Sequence, residues 1–295
     1  MTFLSEGLIT KGVGGFYTAV SADGCAHTLR AQRKLRRQHL TPMVGDRVEF
    51  QPGAEGEEGW LVKILPRKNH LTRPPVANID VALLVVAAAS PDPDLILADR
   101  MLVAARQAGI RPIVAVNKAD LDPEKASEIL AAYRAAADGA LLVSARTGEG
   151  VDALREALAG SVHALSGQSG AGKSSLINAL YGLKLTTGQV SRIERGRHTT
   201  RHSELIALPG GGMVLDTPGF SLLESELIEP IHLKDYYPEF ARYEGDCRFS
   251  PCAHASEPGC RVHEAVEDGR IDPGRHERYK QLFDEMTQRW KDRYD

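Results

Sequence analysis

The sequence predicts a multidomain α/β protein, and three observations carry that reading. The first 65 residues break into short strand-like runs separated by Gly-rich turns. From Asn78 apolar runs alternate with helical patterns, the rhythm of a doubly wound parallel sheet. Past Phe220 the composition turns polar and holds a Cys/His cluster and a terminal helix. At 295 residues the chain is also too long for one ordinary core. The expected boundaries are 1–68 for a barrel, 69–76 for a linker, 77–222 for the sheet domain and 223–295 for the terminal part.

In the first part, Gly14-Gly15 precedes the strand Phe16–Val20, and Ala26–Ala31 is a second strand. Gly45-Asp46 leads into Arg47–Phe50, and Trp60–Leu65 is the last run. No stretch there shows helical periodicity, so a small β-barrel of the OB type is expected. Residues 1–68 hold 10 Lys/Arg against 7 Asp/Glu, whereas the rest of the chain is acidic. No acid falls between Asp23 and Asp46, where Arg30, Arg33, Lys34, Arg36 and Arg37 crowd together. Such a run neutralises phosphates on a polyanion, and Phe16 and Tyr17 could offer bases a stacking face. Pro66 to Pro75 then breaks the pattern as a linker.

The second part opens on the apolar run Ile79–Ala87, a buried parallel strand. Helices are expected over 94–107, 123–137, 151–159 and 173–181. Strands are expected over 112–116, 140–143, 162–165, 204–208 and 213–215. Between the strand at 162–165 and the helix at 173 lies Gly167-Gln168-Ser169-Gly170-Ala171-Gly172-Lys173-Ser174-Ser175, a P-loop in its proper context. Its backbone N–H groups would curl around phosphates, Lys173 would reach the β and γ phosphates, and Ser174 would ligate Mg²⁺.

Asp216-Thr217-Pro218-Gly219 follows the last strand, so Asp216 could hold Mg²⁺ through water and the Gly219 N–H could meet the γ-phosphate. Asn117-Lys118-Ala119-Asp120 follows the strand 112–116. A carboxylate only accepts, so Asp120 suits guanine N1–H and N2–H₂, which adenine lacks. Ser144-Ala145, at the next strand end, could supply an N–H to guanine O6. The pocket expected from these motifs takes GTP with Mg²⁺.

These residues resemble the translation-factor-like GTPases with the motif order changed. Asn117-Lys118-Ala119-Asp120 comes 50 residues before Gly167 instead of after it, so the domain reads as circularly permuted across a short Gly160-Ser161 join. Cys247, Cys252, His254 and Cys260 fall within 14 residues, three thiols and one imidazole with the make-up of a structural zinc site. Cys25 stands apart.

Barrel, permuted domain and Cys₃His part, in this order, are similar to the bacterial ribosome-small-subunit-dependent GTPase A family over essentially the whole chain. Arg195-Gly196-Arg197-His198-Thr199-Thr200 resembles that family's switch I, and Asn69-His70-Leu71-Thr72-Arg73-Pro74 its linker. The resemblance implies a GTPase that binds the small ribosomal subunit late in maturation, holds ribosomal RNA through barrel and zinc parts, and is stimulated by the subunit. Phe220 stands where many GTPases carry a water-orienting Gln, so slow intrinsic turnover is expected. His198 is the candidate substitute, catalytic beside Lys173, and Thr199 or Thr200 would complete the Mg²⁺ shell. Lys184, Arg192, Arg195, Arg197 and Arg201 against Glu194 alone make this switch basic.

The terminal helix from Pro273 aligns Tyr279, Leu282, Phe283, Met286 and Trp290 on one side, a stripe expected to pack on the zinc part. The longest apolar run is nine residues, against about 20 for a membrane span. No charged and apolar leader opens the chain, and four cysteines are too few for a disulfide scaffold. A cytoplasmic monomer is expected. The competing readings are an RNA-binding scaffold with a stabilising nucleotide and an ATP-dependent RNA-remodelling enzyme.

Overall fold

The computed structural model describes residues 4–37, 40–54, 57–72, 74–182, 203–216 and 225–294. The chain divides into two compact units, the first made of 1–81, 158–164 and 186–220, the second of 82–157, 165–185 and 221–295.

The first unit opens on a barrel of five strands. β1 (Ser5–Val13) turns at Gly14-Gly15 into β2 (Phe16–Ser21), with φ of 61° and 88° at the two glycines. That double left-handed step is the tight hairpin whose twist matches its strands. β3 (Ala26–Ala31) follows, then α1 (Arg33–Arg37), β4 (Arg47–Gln51) and β5 (Gly59–Ile64). The order β1-β2-β3-β5-β4 closes through a β1–β4 pairing, so the sheet is a barrel without free edges. Ile9, Ala19, Leu29, Val48, Phe50 and Leu61 fill it. The helix α1 corrects the expectation of an all-strand segment: Leu35 is buried, while Arg33 and Lys34 stay exposed.

Asp46 is buried and accepts from Arg67 Nε (2.7 Å), Arg67 Nη2 (2.8 Å) and the Met43 N–H (2.7 Å). A bidentate guanidinium pair with a third donor is what makes a buried carboxylate tolerable. The stretch expected to be a linker contains a short antiparallel pair, β6 (His70–Leu71) and β7 (Val76–Ala77). Asn69 also double-bonds the Ile79 backbone, Nδ2 to O at 2.8 Å and N to Oδ1 at 2.9 Å.

β8 (Val81–Ala87) is buried at every position, as its unbroken apolar run requires. Then come α2 (Leu95–Gln107), β9 (Arg111–Asn117), α3 (Pro123–Tyr133), β10 (Ala140–Leu142) and α4 (Val151–Ala157). β9 lies between β8 and β10 and pairs in parallel with β10. Asp94 and Asp122 cap α2 and α3 by accepting the Leu97 and Lys125 N–H groups. α3 ends at Tyr133, four residues earlier than its Ala-rich sequence suggests, because the chain turns there through Ala136 and Ala137 N–H bonds to Tyr133 O.

β11 (Val162–Ser166) leads through the P-loop into α5 (Lys173–Tyr181). In the first unit, Val162–Ala164 pairs in parallel with β13 (Met213–Asp216), which pairs antiparallel with β12 (Glu204–Ala207). In the second, α6 (Arg261–Glu267) and α7 (Pro273–Lys291) enclose a core of Leu233, Tyr237, Phe240, Cys252, Cys260, Tyr279, Leu282 and Met286. Phe283 packs on the same core, so Tyr279, Leu282, Phe283 and Met286 of the expected stripe face the Cys/His part, whereas the Trp290 ring lies under Arg293. Among the described residues, no helix is long and apolar enough to cross a membrane.

Candidate functional site

The P-loop carries Gly172 at φ 94°, where a Cβ would stand 2.4 Å from Asn117 Nδ2. Only glycine lets the loop approach Asn117 so closely. Asn117 exploits it: Nδ2 donates to Ala171 O (2.9 Å), and Oδ1 accepts from the Ala145 N–H (3.1 Å). Lys118, in the left-handed region at φ 62°, donates to Gly170 O (2.8 Å) and also to Ser90 O. Three predicted motifs, 117–120, 144–145 and 167–175, are therefore brought together in one unit.

Asp120 accepts the Ser144 hydroxyl on Oδ1 (2.5 Å) and Arg146 Nε on Oδ2 (3.0 Å). The Ser144 hydrogen bond, then Arg146, hold its carboxyl below the usual range. Asp120 is thus an ionised acceptor at the end of β9, the chemistry guanine recognition needs. Lys173 Nζ donates to Gly167 O (2.6 Å) and Gln168 O (3.0 Å), and burial lowers its pKa. Ser174 and Ser175 open α5 half-buried beside it.

The Gln168 side chain turns away from the loop's interior. Its Oε1 accepts from the Asp94 N–H and its Nε2 donates to Asp92 O, at 2.7 and 2.8 Å. The residues 90–94 that brace the P-loop were not anticipated. Their signal was the Pro/Asp-rich turn directly after a buried parallel strand, where such sheets place ligands. Arg146 was also missed, although it directly follows Ser144-Ala145. Asp216 ends β13, but its side chain and the predicted Gly219, His198, Thr199, Thr200 and Phe220 lie outside the described residues.

The Cys/His cluster forms as predicted. Cys247, Cys252, His254 and Cys260 place their ligand atoms within 4.8 Å of one another and could hold a metal ion. His254 Nδ1 stands 3.6 Å from Cys247 Sγ and 3.3 Å from Cys260 Sγ, and the two sulfurs are 4.0 Å apart. Tetrahedral zinc with ordinary bond lengths has edges of about 3.6–3.8 Å, so the donor set fits. Burial, then the neighbouring Cys260, push the Cys252 thiol up to about 12, a proton that a cation would displace. His254 turns Nε2 to Glu244 Oε2 (3.4 Å). Glu257 shapes the loop by accepting the Ala253, Ala255 and Ser256 N–H groups at 2.7, 3.0 and 3.1 Å.

On the barrel, Phe16 pairs with Arg30 across β2 and β3, and the guanidinium lies 4.5 Å over the ring. Arg30 also pairs with Glu58. Trp60, in register with Arg30 on β5 and exposed, extends this row, although sequence reading counted it only as a strand residue. Tyr17 is half-buried, and the side chains of Arg36 and Arg37 lie outside the described residues.

Residues 64–226 match the RsgA GTPase family, and residues 6–61 match the RsgA N-terminal domain. A small ribosomal subunit biogenesis GTPase RsgA from Caldanaerobacter subterraneus subsp. tengcongensis is 41% identical over 292 residues, 98% of each chain. The protein of that name from Geobacillus thermodenitrificans is 44% identical over 297 residues, covering 99% of this chain and all of that one. The crystal structure of YjeQ from Thermotoga maritima superposes with a TM-score of 0.85 at 37% identity, over 97% of this chain and 99% of that one. YloQ, described as a circularly permuted GTPase, gives 0.79 at 33% identity, over 97% and 96% of the two chains. The permuted motif order is therefore a property of the fold itself, and the chain belongs to the RsgA GTPase family.

Proposed function

We propose that this GTPase serves maturation of the small ribosomal subunit, docking through its barrel and zinc parts and leaving when GTP is hydrolysed. The observation that carries it is end-to-end identity above 40% with proteins named for that process. In functional terms the chain divides into an RNA-binding barrel (1–68), a linker (69–76), the GTPase domain (77–222) and a zinc-binding part with the terminal helix (223–295). Phe16, Tyr17, Arg30, Arg33, Lys34, Arg36 and Arg37 are the barrel's RNA contacts.

In the GTPase domain, Asp120 reads guanine, with Asn117, Lys118, Ser144 and Ala145 around the base. The backbone N–H groups of 167–175 cradle the phosphates, and Gly219 meets the γ-phosphate. Ser174, Asp216 and Thr199 or Thr200 would hold Mg²⁺, which would supply charge neutralisation to the phosphates. Lys173 has its Nζ on loop carbonyls now and would exchange them for phosphate oxygens, gaining opposite charge where burial disfavours its own. His198 orients the water whose oxygen attacks the γ-phosphorus as the bond to GDP breaks, because Phe220 cannot. Cys247, Cys252, His254 and Cys260 hold one structural zinc. The protein works as a monomer in the cytoplasm.

The test is turnover of GTP and ATP by the purified protein, with and without isolated small ribosomal subunits. Slow, GTP-only turnover that rises sharply with subunits is expected. Turnover indifferent to subunits would keep the GTPase and remove the ribosomal role.

A further inference from the structure

The Asp120 carboxylate is more heavily occupied than base recognition requires. A carboxylate offers about four lone-pair sites, two on each oxygen. Ser144 Oγ takes one on Oδ1, at 2.5 Å. Arg146 sends both Nε (3.0 Å) and Nη2 (2.5 Å) to Oδ2 and so fills both of its sites. Among the described residues, Oδ1 keeps one site free and Oδ2 keeps none.

Guanine presents N1–H and N2–H side by side and needs both oxygens. Hypoxanthine has no 2-amino group and needs one. The Arg146 side chain is 72% exposed, against 10% for Asp120, so the arginine can leave its partner for solvent at little cost. Its backbone cannot move as easily. The Ser144 N–H bonds Glu149 O (2.9 Å), the Gly148 N–H bonds Ser144 O (2.9 Å), and the Thr147 N–H bonds Ser144 Oγ (3.1 Å), which closes the loop that carries Arg146 over Asp120.

We infer that Arg146 is a built-in competitor for the guanine 2-amino group, lowering nucleotide affinity and narrowing the preference for guanine over hypoxanthine. The inference rests on the reading of Asp120 as the base acceptor. Its chemistry is that of an exchangeable counter-ion: the pocket keeps Asp120 ionised and paired, and the nucleotide must displace a side chain of this chain.

The experiment is calorimetric binding of GDP and IDP, which avoids turnover, to the full-length protein and to Arg146→Ala and Arg146→Lys. Removing an exposed ion pair should tighten GDP by about two- to fivefold. IDP should change much less, and Arg146→Lys, which lacks the paired N–H groups, should fall between. Added KCl weakens the ion pair in the parent protein, so the gap between parent and Arg146→Ala should shrink with salt. GDP binding that is unchanged or weaker in Arg146→Ala would overturn the inference, as would equal gains for GDP and IDP. Asp120→Asn separates the two levels. A switch of that variant to XDP keeps the guanine reading whatever Arg146 does, whereas a retained preference for GDP removes both.

Discussion

Asp99, on α2, is fully buried, and replacing it with Ala should destabilise the second unit by about 4 kcal/mol. Its Oδ1 accepts from Tyr133 Oη and Arg275 Nη1, both at 2.6 Å, and its Oδ2 from Arg278 Nε at 2.6 Å. Arg275 is 1% exposed and also pairs with Glu239, so two guanidinium groups face two carboxylates. Without Asp99 one positive charge stays buried and unpaired, the situation that costs about 3–5 kcal/mol. Trp60 lies in the first unit and Trp290 in the second, so Trp290 emission in a Trp60→Phe background reports the right unit during urea unfolding. With an m-value of about 2 kcal/mol/M, the midpoint should fall by about 2 M. Pairing Asp99→Ala with Arg278→Met leaves Arg275 and Glu239 one to one and should restore about half of the loss. A shift under about 0.5 M for Asp99→Ala would refute the charge count.

If the Cys/His cluster takes the zinc proposed for it, Glu244→Gln should weaken binding of added Zn²⁺ about ten- to hundredfold, because the carboxylate that orients His254 through Nε2 is lost; competition with a chromogenic chelator measures it, and unchanged affinity would refute that role. Lys173→Ala should lower GTP turnover on the order of a hundredfold or more while the fold persists, measured by phosphate release and circular dichroism. Burial holds His163 at about 4, below the 6.5 of a free histidine, so the unfolded chain binds a proton that the folded one refuses. Stability of the first unit should therefore fall as pH drops from about 6.5 towards 4, by about 2 kcal/mol at pH 5. His163→Gln should flatten that slope in urea titrations followed by Trp60 emission in a Trp290→Phe background, and a parallel slope would refute the assignment.

The parts of the molecule legible in the sequence are those where chemistry is local. The P-loop and residues 117–120 are each one short run at a strand end and the Cys₃His ligands fall within 14 residues; the fold then puts Asn117 on Ala171 O and the four Cys/His ligand atoms within 4.8 Å of one another. β1 was not legible because a bulge between Ile9 and Lys11 breaks its alternation, leaving Ile9 as its one fully buried residue. α1 was missed because five residues, four of them basic, give no period to read. The bond between Asp99 and Arg275 spans 176 positions, and each residue alone reads as a solvated helix charge. Only the fold reveals that both are buried.

The permuted order also shows what the pocket depends on. Asn117 precedes the P-loop by 50 residues, yet it bonds Ala171 O and the Ala145 N–H at once. Those contacts require only that β9 end near the residues they join, because ligands of such sheets bind at the carboxyl ends of strands. Chain order decides which loops connect the strands, whereas strand position decides which side chains meet. Moving the termini therefore leaves Asp120, the bridging Asn117 and the 167–175 loop as one hydrogen-bonded object. Permutation places the chain after Gly219 next in sequence to the Cys/His part instead of to another strand. At that junction Gln107 on α2 holds Glu226 by two backbone bonds, Nε2 to O at 3.2 Å and N to Oε1 at 2.9 Å. The same α2 begins on Gln168 and carries Asp99, so one helix anchors the 167–175 loop, the start of the Cys/His part and the buried ion cluster.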